Sequence, residues 1–174
     1  MVQRDGIRIL LAIAYGALGA FLSTCAAAET RLDAVGRGES AAERALAEAA
    51  QRAEAKLASS SCRMIFLDFR SLNGRLLQET LEEAGHTGQT YFRSLVFYEG
   101  HGRTPCATRG IFAFTSPGSR AVFVCSAQFV ERAHRDPGLA AVLLIHEELH
   151  ALGLGENPPS SKEITQKVIE RCGK

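Results

Sequence analysis

Within the stretch HEELHALGLGE, from His146 to Glu156, two histidines are spaced to share one metal ion. On an α-helix, side chains four residues apart lie on one face, so the imidazoles of His146 and His150 can point at the same ion. Neutral imidazole nitrogens bind Zn²⁺ at about 2.0–2.1 Å. Glu147 lies roughly 100° round the helix, beside the metal, where a carboxylate can take a proton from metal-bound water. The spacing predicts His146 and His150 as Zn²⁺ ligands and Glu147 as a catalytic base.

The residues around this motif predict a buried helix. Asp136-Pro137 is typical of a helix start, with Asp as N-cap and Pro at the first helical position. The run Leu139–Leu152 is apolar on nearly every side, and His146 and His150 continue its inward stripe. Gly153 then ends the helix. Two buried imidazoles need polar partners, and a shared metal supplies one to each.

A simpler interpretation is a core helix whose two histidines bind carbonyl or carboxylate groups. That interpretation explains the histidines, but it leaves Glu147 and the glycines at 153 and 155 without a reason. The metal site explains all three.

The whole stretch resembles the extended motif of the metzincin peptidases, His-Glu-x-x-His-x-x-Gly-x-x-His/Asp. His146 and His150 match the first two zinc ligands of that family, and Glu147 matches its base. Gly153 matches the glycine at which the family's helix turns back. Glu156 stands where the family has its third ligand, His or Asp. No methionine follows Glu156, so the family's methionine turn is missing.

A second group of zinc peptidases, the gluzincins, takes its third ligand from a glutamate on a later helix. Glu163 and Glu170 follow His150 at spacings that suit this arrangement. Glu156 is the favoured ligand because the turn at Gly153 gives it a short path back to the metal.

The resemblance implies an α+β fold, in which a short sheet or hairpin packs on a buried active-site helix in a small zincin-like domain. It also implies an edge strand that holds a peptide substrate in extended form, and the hairpin at 111–125 is the candidate for it. The elements expected from local sequence are helices, strands and turns over these segments: helix Ser40–Leu57, strand Met64–Phe69, helix Ser71–Glu83, a helix leading into a short strand over Tyr91–Tyr98, strands Ile111–Thr115 and Ala121–Cys125 about a Pro-Gly turn, helix Phe129–Arg135, and helix Lys162–Arg171 capped by Ser160 or Ser161.

The N-terminal residues predict export. Arg4 and Arg8 precede the apolar run Ile9–Leu22, which has the length of a signal peptide rather than of a membrane-spanning helix. We expect residues 1–28 to be the signal peptide, cleaved after Ala28. The alternative is lipid attachment at Cys25, and an uncleaved membrane anchor is a further one. Residues 29–61 then form an N-terminal helix or tether, and residues 62–174 the catalytic domain.

Either processing step leaves four cysteines in the mature chain. An even number in an exported protein predicts two disulfides. The pairing favoured here joins Cys106 to Cys125 across the hairpin, and Cys62 to Cys172 at the chain end.

These features together predict an exported zinc metallopeptidase, periplasmic or secreted, that acts on a peptide or protein. Glu147 would assist the attack of zinc-bound water on the peptide bond. The alternative is a non-catalytic, zinc-stabilised binding or scaffold protein of the cell envelope. A formal net charge of +1 gives no indication of nucleic-acid binding, and no feature indicates the oligomeric state.

Other polar residues have roles suggested by type alone. Tyr91, Tyr98, His101 and Arg109 are candidate donors to an oxyanion. Asp68 is a candidate to orient a zinc-bound imidazole.

Overall fold

A computed structural model of the chain describes residues 31–32 and 40–173. Within these residues the fold is α+β, as predicted, with helices grouped around a small mixed sheet. The elements are β1 (Arg31–Leu32), α1 (Ala41–Leu57), α2 (Ser60–Arg63), α3 (Ile65–Asp68), α4 (Leu77–Glu83), α5 (Gly88–Phe92), β2 (Val96–Glu99), α6 (Thr104–Ala107), β3 (Ala113–Phe114), β4 (Ala121–Val124), α7 (Ser126–Arg135), α8 (Pro137–Ala151) and α9 (Ser161–Cys172).

Helix α8 is the centre of the core. Its residues are apolar on nearly all sides, and it packs against α1, α7 and α9 and against strands β3 and β4. Asp136 caps its start, because the Asp136 carboxylate accepts a hydrogen bond of 2.9 Å from the backbone N–H of Leu139. The predicted buried helix is therefore confirmed.

The sheet has the strand order β1-β2-β4-β3. The predicted hairpin is confirmed: β3 and β4 are antiparallel, with Ala113 opposite Val124. Gly118 takes a positive φ of 81° in the turn between them, a conformation that costs glycine little. Strand β2 pairs with β4 in parallel, a neighbour relation that the sequence did not indicate. Within the described residues β3 lies at the edge of the sheet.

The helices on either side of α8 begin with capping boxes. In α1, Ser40 accepts from the N–H of Glu43 and the Glu43 carboxylate accepts from the N–H of Ser40, which confirms the predicted start of this helix. Ser160 and Glu163 form the same arrangement at the start of α9. Helix α1 buries an alanine-rich face against α8 and α7, so it belongs to the same core as the residues that follow it.

The strand predicted over Met64–Phe69 is wrong, because this segment forms helix α3. The buried side chains there are Cys62, Ile65 and Phe66, whereas Met64 and Leu67 are 44% and 43% exposed. Burial at i, i+3 and i+4 is the helical period. The period becomes visible only when Cys62 is counted with the apolar run.

The helix predicted over Ser71–Glu83 begins too early. Residues before Leu77 form a tight turn, in which Gly74 has a φ of 77° and its N–H donates to the Ser71 carbonyl. Leu72, which lies inside the predicted helix, is 73% exposed. The Asn-Gly pair at 73–74 supplies the turn.

Both predicted cysteine pairs lie at disulfide geometry. Cys62 and Cys172 have a Cα–Cα distance of 4.5 Å, and Cys106 and Cys125 one of 5.2 Å. The first joins α2 to the end of α9, and the second joins α6 to the end of β4. Two disulfides in a small domain are typical of an oxidising, extracellular environment.

The signal-peptide segment 1–28, including Cys25, lies outside the described residues. Within the described part of the chain, every helix is too short or too polar to cross a bilayer.

We expect the two disulfides to contribute unequally to stability. Their sequence separations are 110 and 19 residues, and a cross-link that closes a longer loop removes more entropy from the unfolded chain. Replacing both Cys62 and Cys172 by Ala should lower the free energy of unfolding by about 5 kcal/mol, against about 3 kcal/mol for the Cys106 and Cys125 pair. Urea unfolding of the two double variants measures the difference, and an equal or larger cost for the Cys106 and Cys125 pair would contradict it.

Candidate metal centre

The two motif histidines face each other on the buried side of α8. The Nε2 atoms of His146 and His150 are 2.9 Å apart, and both side chains are buried. The helical spacing brings the rings together on one face of α8.

The other nitrogen of each ring is fixed by a hydrogen bond. The Nδ1–H of His150 donates to the Leu154 carbonyl over 2.7 Å. A carbonyl can only accept, so the Nε2 of His150 is left with a free lone pair. The Nδ1 of His146 lies 2.9 Å from the Thr165 hydroxyl of α9. Bonds of this kind to the second nitrogen orient metal-binding histidines in proteins.

Glu156 completes a group of three donors. Its Oε1 lies 3.3 Å from the Nε2 of His150 and 3.7 Å from that of His146. The chain returns to this position because Gly153 takes a φ of 103°, after which the N–H of Leu154 donates to the Leu149 carbonyl.

The geometry of this group fits a metal ion. The donor atoms of His146, His150 and Glu156 all lie within 4.8 Å of one another, and ligand atoms around one tetrahedral ion are separated by roughly 3.3 Å. Two ring nitrogens that face each other at 2.9 Å must share a proton or a cation. His146, His150 and Glu156 could therefore hold a metal ion.

Burial sets the protonation of the central residues. It lowers the pKa of His146 to about 3, with a further contribution from His150, so His146 is neutral at ordinary pH and its ring can act as a ligand. Burial also raises the pKa of Glu147 to about 8; the negative charge of Glu156 adds to this, and a hydrogen bond from the backbone of Thr115 opposes it. Both shifts are those of the site without a cation.

Glu147 lies beside the three donors, in the same cleft. One of its carboxylate oxygens, Oε2, has no hydrogen-bond partner among the described residues although it is buried. The Glu147 carboxylate also accepts a hydrogen bond from the backbone of Thr115, in the hairpin. The hairpin turn is itself docked on α8, because the N–H of Gly118 donates to the His150 carbonyl over 2.9 Å.

The cleft has a volume of about 390 Å³. The segment from Gly110 to Thr115, which includes the edge strand β3, forms one wall. The motif residues of α8 form its floor, and Ser161 and Thr165 of α9 contribute the opposite wall.

The rival third ligands lie elsewhere. The Glu163 carboxylate is used in the cap of α9, and the Glu170 carboxylate accepts a hydrogen bond of 2.9 Å from Lys167. Among the described residues, the only clustered donors of a metal site are those of His146, His150 and Glu156.

The other residues suggested by type do not line the cleft. The Tyr91 hydroxyl donates to the Ala151 carbonyl, and Tyr98 stacks on Phe123. The backbone of His101 is bonded to Glu99 at the surface. Asp68 accepts two hydrogen bonds from Arg171 and touches neither histidine.

Sequence reasoning missed the residues that hold the motif in place. Thr165, the Leu154 carbonyl and the Thr115 backbone each bind a motif side chain, but they carry no local signal of that role. Glu148 was also missed. It is fully buried, and neither of its carboxylate oxygens has a partner among the described residues. Burial raises its pKa well above the usual range, so it is a neutral acid.

Comparisons of the chain with protein-family models, with curated proteins and with solved structures give no match. The site is therefore interpreted from its own geometry.

We expect the Thr165 hydroxyl to support metal binding through His146. Thr165→Val keeps the shape of the side chain but removes its hydrogen bond, and loss of such a bond typically weakens metal affinity about 10–100-fold. Thr165→Ser keeps a hydroxyl and is the matched control. Competition for Zn²⁺ against a chromophoric chelator measures both variants, and equal affinities would show that the hydroxyl plays no part.

Removal of single carboxylates should identify the third ligand. Glu156→Gln is expected to lose most of its Zn²⁺ affinity, because a neutral amide replaces the anionic donor. Glu170→Gln and Glu163→Gln should bind as the unaltered protein does, since Gln preserves the cap of α9. Metal content after dialysis against a chelator is the measurement. Retention by Glu156→Gln together with loss at either other position would overturn the assignment.

Proposed function

We propose that this protein is an exported zinc-dependent peptidase of the zincin type. The observation that carries the proposal is the convergence of three donor atoms, from His146, His150 and Glu156, with Glu147 beside them in an open cleft. Two imidazole nitrogens and one carboxylate oxygen are a donor set that suits Zn²⁺.

The number of donors supports a catalytic rather than a structural site. Structural zinc sites are closed by four protein ligands, whereas catalytic sites keep one position open. Among the described residues, three donors converge here, and the remaining side faces the cleft. A zinc ion held by these residues would supply Lewis acidity, which acidifies a water molecule and polarises the substrate carbonyl.

Glu147 is the proposed general base. Its carboxylate lines the cleft, where it would take a proton from the water that attacks the peptide carbonyl and return it to the departing amine. The hydrogen bond from Thr115 fixes the orientation of the carboxylate, so the base does not have to be ordered during the reaction.

The edge strand supports a peptide as the substrate. Among the described residues, strand β3 pairs only with β4, and its residues line the cleft. An extended peptide can add to such an edge through backbone hydrogen bonds. That arrangement would place a peptide bond over the motif residues of α8.

One observation favours the alternative of a non-catalytic, zinc-stabilised binding or scaffold protein. The tyrosine, histidine and arginine side chains considered as oxyanion donors lie outside the cleft. A peptidase with this site would depend on the metal, on Ser161 or on backbone N–H groups for that role. Glu147 has no evident purpose in the alternative, which is why peptidase activity is preferred.

The test is the substitution Glu147→Gln. We expect it to keep its Zn²⁺ and to lose peptide cleavage by about 10²–10⁴-fold, since it removes the base and leaves the three ligands intact. Cleavage is measured with a mixture of fluorogenic peptides, and metal content with elemental analysis.

The neighbouring substitution Glu148→Gln is the matched control. Glu148 is buried away from the cleft and is a neutral acid, so an amide of the same shape should leave both metal and cleavage unchanged. Zinc binding without turnover of any peptide by the unaltered protein would favour the scaffold alternative, and absence of metal from the unaltered protein would refute both.

A further inference from the structure

A second cavity, of about 420 Å³, lies next to the cleft and is lined by three arginines. Gly110 and Phe112 form part of the wall of both cavities. A peptide that lies along segment 110–115 would therefore pass from the motif residues to the arginines.

The arginines come from two sides. Arg109 precedes the segment shared with the cleft, while Arg132 and Arg135 stand on one face of α7, together with Gln128. Residues four and seven apart share a helix face, so the geometry of α7 turns these side chains towards the cavity.

The positive charge of this cavity is only partly neutralised. Arg135 forms an ion pair of 2.6 Å with Glu131. In the part of the chain that the structure describes, neither Arg109 nor Arg132 forms an ion pair, and the buried Nε of Arg132 has no hydrogen-bond partner. Two guanidinium groups are thus available to an anion.

Arg132 is held in place before any ligand arrives. Its guanidinium lies 4.8 Å from the centre of the Phe112 ring, a cation–π contact that fixes its plane. Arg132 also lies in the last turn of α7, where the helix dipole favours a positive charge. The dipole does not explain why the guanidinium contacts Phe112.

The loop at 106–110, on the other side of the cavity from α7, is held in place by Gln128. The Gln128 side chain accepts from the N–H of Gly110 over 2.8 Å and donates to the carbonyls of Cys106 and Thr108. The Cys106–Cys125 disulfide closes the same loop. A cavity whose walls are fixed in this way binds a ligand with a smaller loss of entropy.

We propose that this arginine cavity, defined by Arg109, Arg132 and Arg135, binds a carboxylate of the peptide substrate and so selects acidic peptides. The proposal rests on the peptidase function proposed above and adds a substrate class to it. Arginine suits this role because its planar donors match a carboxylate in pairs.

The distance between the two cavities determines how far the acidic residue of the peptide lies from the cleaved bond. At one end of segment 110–115, Thr115 contacts Glu147. At the other end, Gly110 lines the arginine cavity. An extended peptide advances about 3.3 Å per residue, so the carboxylate should lie about three to five residues from the cleaved bond.

The test uses end-blocked peptides of one sequence that the protein cleaves, with a single Glu moved along the chain and Gln at the same position as the reference. Unaltered protein should cleave the Glu peptide with a kcat/KM about tenfold above that of the Gln peptide at the favoured position. A third peptide ends at that position in a free carboxylate, which distinguishes a terminal from a side-chain carboxylate.

The double variant Arg109→Gln/Arg132→Gln should lose the preference for Glu and cleave the Glu and Gln peptides with equal kcat/KM. Arg109→Gln alone changes an exposed side chain and should lower the preference without affecting folding. Arg52→Gln, on the exposed face of α1, removes one positive charge, as Arg109→Gln does, and should keep the preference. Far-ultraviolet circular dichroism checks that each variant is folded.

The outcomes separate the two proposals. Cleavage of both peptides with equal kcat/KM by unaltered protein would overturn the arginine cavity and leave the peptidase standing. If no peptide is cleaved, the peptidase proposal fails. Fluorescence anisotropy of the labelled Glu and Gln peptides then tests carboxylate binding in the arginine cavity. Equal affinities for the two peptides would refute the proposal. Tighter binding of the Glu peptide that is lost in Arg109→Gln/Arg132→Gln would support it.

Discussion

Two imidazole nitrogens lie 2.9 Å apart in the interior of this protein, and most of the site follows from that contact. The lone pair of His150 cannot face a second nitrogen without a proton or a cation between them. A neutral His146 can supply that proton, and burial disfavours a second proton on the same ring, because it lowers the pKa of His146 to about 3. A cation held jointly with Glu156 would satisfy both rings at once and leave both neutral.

The three glutamates in and near the motif differ in burial and in their partners. Glu148 has no partner and stays neutral, as part of the core. Glu147 has a raised pKa but accepts a hydrogen bond from the hairpin, and its other oxygen is buried without a partner among the described residues. Glu156 is 39% exposed and faces the two rings from a loop. A metal ion at the rings would favour the charged form of Glu147, which is the form that a general base needs.

The predictable parts of the fold are those with local signals. Three element boundaries are determined by contacts within a few residues: the start of α1 at Ser40 and Glu43, the start of α8 at Asp136 and Pro137, and the Pro-Gly turn at 117–118. The segment at 64–69 was mispredicted because its helical period depends on Cys62, outside the apolar run. The parallel pairing of β2 with β4 joins residues far apart in sequence, so no short window could reveal it.

The residues of the candidate site also divide into those with a local sequence signal and those without one. The spacing of His146, Glu147 and His150 identifies them without a structure, and Gly153 indicates that Glu156 returns to them. Thr165 could not be identified, since its contact with His146 depends on how α9 packs against α8. The arginine cavity was equally hidden, because it needs the register of α7 against segment 109–112.

The position of Glu156 bears on when a metal ion would be acquired. The two histidine side chains are buried and line the cleft, whereas Glu156 stands on the loop between α8 and α9 with 39% of its side chain exposed. An ion could therefore reach the rings from the cleft, with α8 left intact. The rings are already oriented by Leu154 and Thr165, and the core and two disulfides stabilise the fold around them. Small domains that fold only around their metal must meet it as unfolded chains. A chain of this kind would be able to fold and form its disulfides first, and to bind a metal ion afterwards.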